Sequence, residues 1–243
     1  MTAASGHQPE PPDTSVYGDV EIEAASGLAL PSLRVLQAAG AIRAKKEPKS
    51  HGGFRRSWAE TEVLKAAIGA AISEHFAWNI RITGEVLAKT RAGTWDALIT
   101  IASAELDQGT SRKASLITTS EHDWFLDLID RKFLFLRVPE AVTTLSPDAP
   151  FPQTDLPIGF ATSKDSFQML PWSLGTKAGR TQVRNLVGEK AMEPILLAYK
   201  LAMVAQGNFV SRASINASMQ VRAAGRRLHG LEARFVQDFV KSR

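Results

Sequence analysis

The sequence predicts an α+β protein on three observations. Two short helices, a hairpin and two further helices follow one another within the first ninety residues. Two apolar runs flank Asp130-Arg131-Lys132, the pattern of a second hairpin. From about Gly179 the apolar spacing turns helical again, so the chain ends in helices.

Each element has a local reason. In "VEIEAASG", Val20, Ile22, Ala24 and Ala25 form a short segment that Gly27 ends as a helix C-cap. In "LALPSLRVLQAAG", Leu30, Leu33 and Leu36 recur at spacing three, Pro31 sits in the first turn and Gly40 stops the helix. Two short helices around a Gly-containing turn make a helix-turn-helix pattern. "AIRAKKEP" and "GGFRRSW" then bracket a Pro-Lys-Ser-His-Gly-Gly tip, as in a β-hairpin. A third helix is expected in "AETEVLKAAIGAAISEH" and a fourth in "AWNIRITGEVLAKT".

Farther on, "GTWDALITIASAEL" fits helix or strand. "DWFLDLIDRKFLFLRVPEA" fits a hairpin, "LSPDAPFPQTDLP" a Pro-rich loop and "IGFATSKDSFQMLP" one or two strands. "EPILLAYKLAMVAQG" is expected to be a helix starting at Pro194, apolar nearly all round and therefore buried. "SINASMQVRAAGRRLHGLEARFVQDFV" is amphipathic, although Gly225 and Gly230 weaken one continuous helix. The expected organisation is a disordered tail over 1–16, a first domain over 17–92 and a mixed α+β domain over 93–243.

Composition narrows the function. The 243 residues are 44% hydrophobic and include no cysteine, which excludes disulfides, thiolate metal sites and cysteine nucleophiles and fits a cytoplasmic chain. No apolar run is long enough to span a bilayer and no secretory leader is evident, so no membrane partner is expected. Histidines are scattered, the glycines form no phosphate cradle and no catalytic constellation is apparent. The expectation is therefore no enzyme, no metal and no cofactor.

The net charge of +4 is unevenly spread. Residues 43–56 carry six Lys/Arg against one Glu, and residues 212–243 carry seven against two acids, on an acidic remainder. Two basic blocks point to a polyanionic partner. The second block also admits a dimer helix or a solvated amphipathic helix, and its large apolar positions favour those two readings over a DNA contact.

"YGDVEIEAASGLALPSLRVLQAAGAI" and the later "GGFRRSW" and "HFAWNIRITGEVLA" together resemble the DNA-binding domain of MerR-family transcription regulators. Tyr17, Gly27, Leu33-Arg34 and Gly40 fall at the family's positions, Phe54 replaces the first Tyr of its Gly-Tyr-Arg-Arg-Tyr wing motif, and Trp58 replaces the second after a one-residue insertion. The match covers roughly a third of the chain. It implies a bacterial-type winged helix-turn-helix that binds double-stranded DNA, regulates transcription and forms a homodimer.

A helix of this size fits the major groove. The residues expected to meet DNA there are Ala29, Pro31, Ser32, Arg34 and Val35, of which Ser32 and Arg34 can hydrogen-bond to base edges. The wing offers Arg43, Lys45, Lys46, Lys49, His51, Arg55 and Arg56 to phosphates. Arg55 and Arg56 alternate along a strand and cannot face one way, so one of them is expected to pair with Glu60 or Glu62.

Two departures from the family matter. Its members follow the fourth helix with a long helix that pairs across a dimer, whereas residues 91–111 carry no sustained heptad. Its metal sensors use cysteines, absent here. The C-terminal domain is left to dimerisation, sensing or binding of a small-molecule or protein effector, its aromatics Trp124, Phe125, Phe133, Phe135, Phe160 and Phe167 offering a pocket lining. The competing reading is a protein-binding adaptor on a helix-turn-helix fold.

Overall fold

The computed structural model describes residues 16–48, 52–91, 93–107, 116–117, 119–139, 155–163, 166–231 and 233–235. It is a mixed α+β fold whose three-stranded and five-stranded sheets are antiparallel. None of the helices described is long and apolar enough to cross a membrane.

Helices α1 (Asp19–Ser26) and α2 (Leu30–Ala38) are separated by Gly27, whose φ of 77° ends α1 and whose N–H returns to the Glu23 carbonyl at 2.9 Å. Strands β2 (Ala44–Pro48) and β3 (Phe54–Ala59) form the hairpin, and β1 (Val16–Tyr17) adds to β3 to make three strands. Next come α3 (Glu60–His75), α4 (Ile80–Lys89) and α5 (Thr94–Asp107). Asn79 caps α4 by accepting from the Ile82 N–H at 2.9 Å. A Cβ at Gly84 would stand 2.9 Å from the Ala39 Cβ, so a glycine there lets α4 lie close against the end of α2. The segment whose periodicity fits helix or strand is helical, and α5 buries Trp95, Leu98, Ile99 and Ala102 at helical spacing.

Strand β4 (Leu116–Ile117) pairs in parallel with β10 (Arg234–Phe235). The main sheet has the order β8-β7-β6-β5-β9 and is antiparallel throughout. Its strands are β5 (Phe125–Ile129), β6 (Phe133–Arg137), β7 (Asp155–Ser163), β8 (Ser166–Met169) and β9 (Arg212–Asn216). The β5–β6 hairpin turns where its sequence predicts, with Asp130 and Arg131 at φ of 50° and 54°. A 3-10 turn (Trp172–Gly175) leads to α6 (Lys177–Val187) and α7 (Glu189–Gly207), and α8 (Ala217–Leu228) follows β9.

Strand alternation sorts the core onto two faces. Leu126, Leu134, Leu136, Leu156 and Ile215 face the helices, in one buried cluster that runs from Ile22 to Ala224. Ile129, Phe133 and Phe135 face the other way, against Ala202 of α7. The six aromatics expected to line a pocket are therefore split. Trp124 and Phe167 belong to the first cluster and Phe133, Phe135 and Phe160 to the second, with the sheet between them.

Three expectations are corrected here. The boundary near residue 92 does not separate two cores, because α8 packs among α1, α3 and α5 inside the first cluster. The basic segment that contains α8 is neither a free dimer helix nor a solvated one over Ala217–Leu228. Its small residues Ala217, Ala223, Ala224 and Gly225 are buried, and Arg222 and Arg226 are buried with them. The third concerns α7, which starts at Glu189 and carries Pro194 inside it. Among the described residues it is covered on one side only, leaving Leu197, Leu201 and Val204 exposed.

The arginines of the second basic block hold the fold together. Arg222 Nη2 lies 2.7 Å from Asp123 Oδ1, both side chains almost fully buried. Arg227 donates to the Ala25 carbonyl at 3.1 Å. On the sheet, Asp127 accepts from Arg212 and Ser214 of β9 and from Arg137 of β6, the last at 3.1 Å. Burial works to raise the Asp127 carboxyl, but these three hydrogen bonds and the Arg137 charge outweigh it and hold it below the usual carboxylate range.

A carboxyl lowered by folding stabilises the fold fully above its unfolded value of about 4, and that contribution is lost as pH falls through the lowered folded value. Melting temperature should thus drop more steeply below pH about 4 in the parent than in Asp127→Asn. Parallel slopes in the two proteins would remove Asp127 from the account of acid unfolding.

Candidate nucleic-acid interface

Ala29, the N-cap of α2, has no side chain able to cap. Glu23 of α1 substitutes for it, its carboxylate accepting the Leu30 N–H at 2.5 Å. Pro31 occupies the first turn, where its missing N–H costs nothing. Leu33 and Leu36 fix the inner face in the core. That leaves Ala29, Pro31 and Arg34 exposed, with Ser32 and Val35 half-buried beside them.

The hairpin divides its cations by register. Lys46 pairs with Arg56 and Ala44 with Trp58, so Lys46, Arg56 and Trp58 share one face. Lys45 pairs with Ser57 and Glu47 with Arg55, which puts Lys45 and Arg55 on the other. Ser57 Oγ donates to Glu47 Oε1 at 2.8 Å on that second face. Arg43, at the hairpin's base, is exposed and donates its backbone N–H to Glu62 Oε2 at 2.9 Å. Lys49 and His51 lie outside the described residues. Phe54, next to the tip glycines, is 68% exposed.

Asp19, the first residue of α1, joins the two parts. Its Oδ2 accepts from Arg56 Nη2 at 2.8 Å and its Oδ1 from the Trp58 indole N–H at 3.0 Å. Burial pushes the Asp19 carboxyl up, but those two hydrogen bonds and the charges of Arg56 and Arg34 hold it below the usual range. Arg56 of β3 thus bonds this carboxylate directly, and the charge of Arg34 on α2 also favours its ionised form. Neither Glu60 nor Glu62 takes Arg55 or Arg56 in an ion pair, and the brace expected from them is supplied by Asp19. Sequence reasoning missed this residue. The clue available was an acid opening a helix, with Arg56 and Trp58 two positions apart on one strand face.

Arg34, Arg43, Lys45, Lys46 and Arg55 are exposed and form no ion pair among the described residues. Beside Arg43, a cleft of about 330 Å³ is lined by Lys65, Glu62 and Asp96, whose opposite charges lie within 3.3 and 3.9 Å of each other. Arg91 also lines that cleft. Arg34 on α2 and Arg43, Lys45, Lys46 and Arg55 on and beside the hairpin give this α+β fold exposed cations on both elements. Comparison with family models, with curated proteins and with solved structures finds no match to this chain.

Proposed function

We propose that the protein is a sequence-specific regulator that binds double-stranded DNA through an N-terminal winged helix-turn-helix of the MerR kind. The carrying observation is the Asp19 carboxylate, which Arg56 of the hairpin bonds and whose ionisation the Arg34 charge of α2 favours. A recognition helix and a wing must lie side by side to meet one duplex, and this link supports that arrangement. In this reading Arg34 and Ser32 meet base edges, with Ala29 against a thymine methyl. Lys46, Lys45, Arg55 and Arg43 hold phosphates around the wing, and Arg56, taken up by Asp19, braces it. With only two side chains able to read bases, part of the selectivity rests on DNA deformation. Two half-sites bound by a homodimer supply the contacts that one such module lacks.

The test is selection of bound fragments from a random duplex pool, followed by titration at several salt concentrations. A recurring motif and salt-steep binding are expected. Arg34→Ala should relax preference at one position by about 1–3 kcal/mol, while Lys45→Ala should weaken all sequences alike and flatten the salt slope by about one. Binding indifferent to salt, or no binding, rejects the proposal and leaves a protein-binding adaptor as the better account.

A further inference from the structure

We infer that the cleft at the base of the hairpin is a binding site for a small phosphorylated sugar. Separate elements build its walls. Arg43 stands just before β2, Glu62 and Lys65 on α3, Arg91 after α4 and Asp96 in the first turn of α5. Its volume of about 330 Å³ falls within the range of small-molecule sites, roughly 300–1,000 Å³. The lining is mainly polar, so little surface is offered to an apolar body.

Charge selects the ligand. Arg43, Lys65 and Arg91 outnumber Glu62 and Asp96, so the cleft carries a positive surplus. Lys65 Nζ stands 3.3 Å from Glu62 Oε1 and 3.9 Å from Asp96 Oδ1, which places it between the two acids. Glu62 Oε2 accepts the Arg43 backbone N–H at 2.9 Å, so this carboxylate is held from both sides. The surplus therefore falls to the arginines, whose planar forks match the oxygens of a phosphate. A bare anion would gain nothing from Glu62 and Asp96 and would be repelled by them. Ionised carboxylates only accept hydrogen bonds, and Asp96, 64% exposed, keeps oxygens for the hydroxyls of a sugar. One phosphate beside several hydroxyls satisfies both signs at once. On the DNA-binding reading above, Arg43 also holds a duplex phosphate, so the two ligands compete for it and an occupied cleft weakens DNA binding. The sugar-phosphate site itself does not depend on that reading.

Isothermal titration calorimetry of the full chain tests it, with ribose 5-phosphate, glucose 6-phosphate, the two unphosphorylated sugars and inorganic phosphate as probes. At least one sugar phosphate should bind about tenfold tighter than inorganic phosphate and than its own sugar. Arg43→Ala and Asp96→Asn should each weaken that binding about tenfold, with melting unchanged because both residues are exposed. Neither sugar phosphate binding, inorganic phosphate binding equally well, or full affinity in either variant overturns the inference. The bound sugar phosphate should also lower the parent's affinity for duplex DNA. Sugar-phosphate binding by a chain that binds no DNA sinks the earlier proposal and leaves this one standing, and DNA binding without sugar-phosphate binding does the reverse.

Discussion

Arg222→Ala should lower the free energy of unfolding by about 3–5 kcal/mol, read from urea denaturation. The Asp123 side chain that Arg222 faces is fully buried, and Arg222 itself is almost so. Removing the guanidinium leaves a carboxylate in low dielectric. The hydrogen bonds that remain to it, from Asn216 Nδ2 and the Ser120 N–H, cannot balance its charge. The pair ties α8 to the residue two positions before β5, and so ties the helical cluster to the main sheet. The double variant Arg222→Ala/Asp123→Asn should recover part of the loss, because a neutral amide is easier to bury than an unpaired charge. A single-variant loss below about 1 kcal/mol would show that the pair contributes no more than a surface ion pair.

Trp58→Ala should cost a similar amount, about 3–5 kcal/mol, for a different reason. The indole is fully buried in the first cluster at the junction of β3 with α1 and α3. Truncation leaves a cavity and releases the Asp19 carboxylate from one of its two donors. Trp58→Phe separates the effects. It keeps most of the volume and loses the N–H to a carboxylate with part of the ring, for about 1.5–3 kcal/mol. If the phenylalanine variant is as unstable as the alanine one, the hydrogen bond to Asp19 outweighs packing, contrary to this account.

What the sequence makes legible is what local chemistry determines. Gly27, Pro31 and Gly40 place the first two helices, and Asp130-Arg131-Lys132 the second hairpin, because turn and cap geometry are settled within a few residues. The exposure of Arg34 is equally local, following from Leu33 and Leu36 facing inward. Partnerships across the chain were not legible. Asp19 and Arg56 are 37 positions apart and Arg227 and Ala25 are 202, and no periodicity encodes either contact. The reading of α7 as buried failed because apolar composition does not say how many sides a neighbour covers. The reading of α8 as a surface element failed because a run of arginines is ordinarily solvated, and the acid that draws Arg222 inward lies on a distant loop.

The placement of α8 bears on biosynthesis. Helices α1, α3 and α5 emerge from the ribosome more than a hundred residues before the helix that fills the space among them. Until then Ile22, Val63 and Leu98 lack part of their cover. A nascent chain in that state offers sticky surface to chaperones. Closing so distant a pairing adds a loop entropy that grows only slowly with length, so it is the position of α8 in the chain that delays its docking.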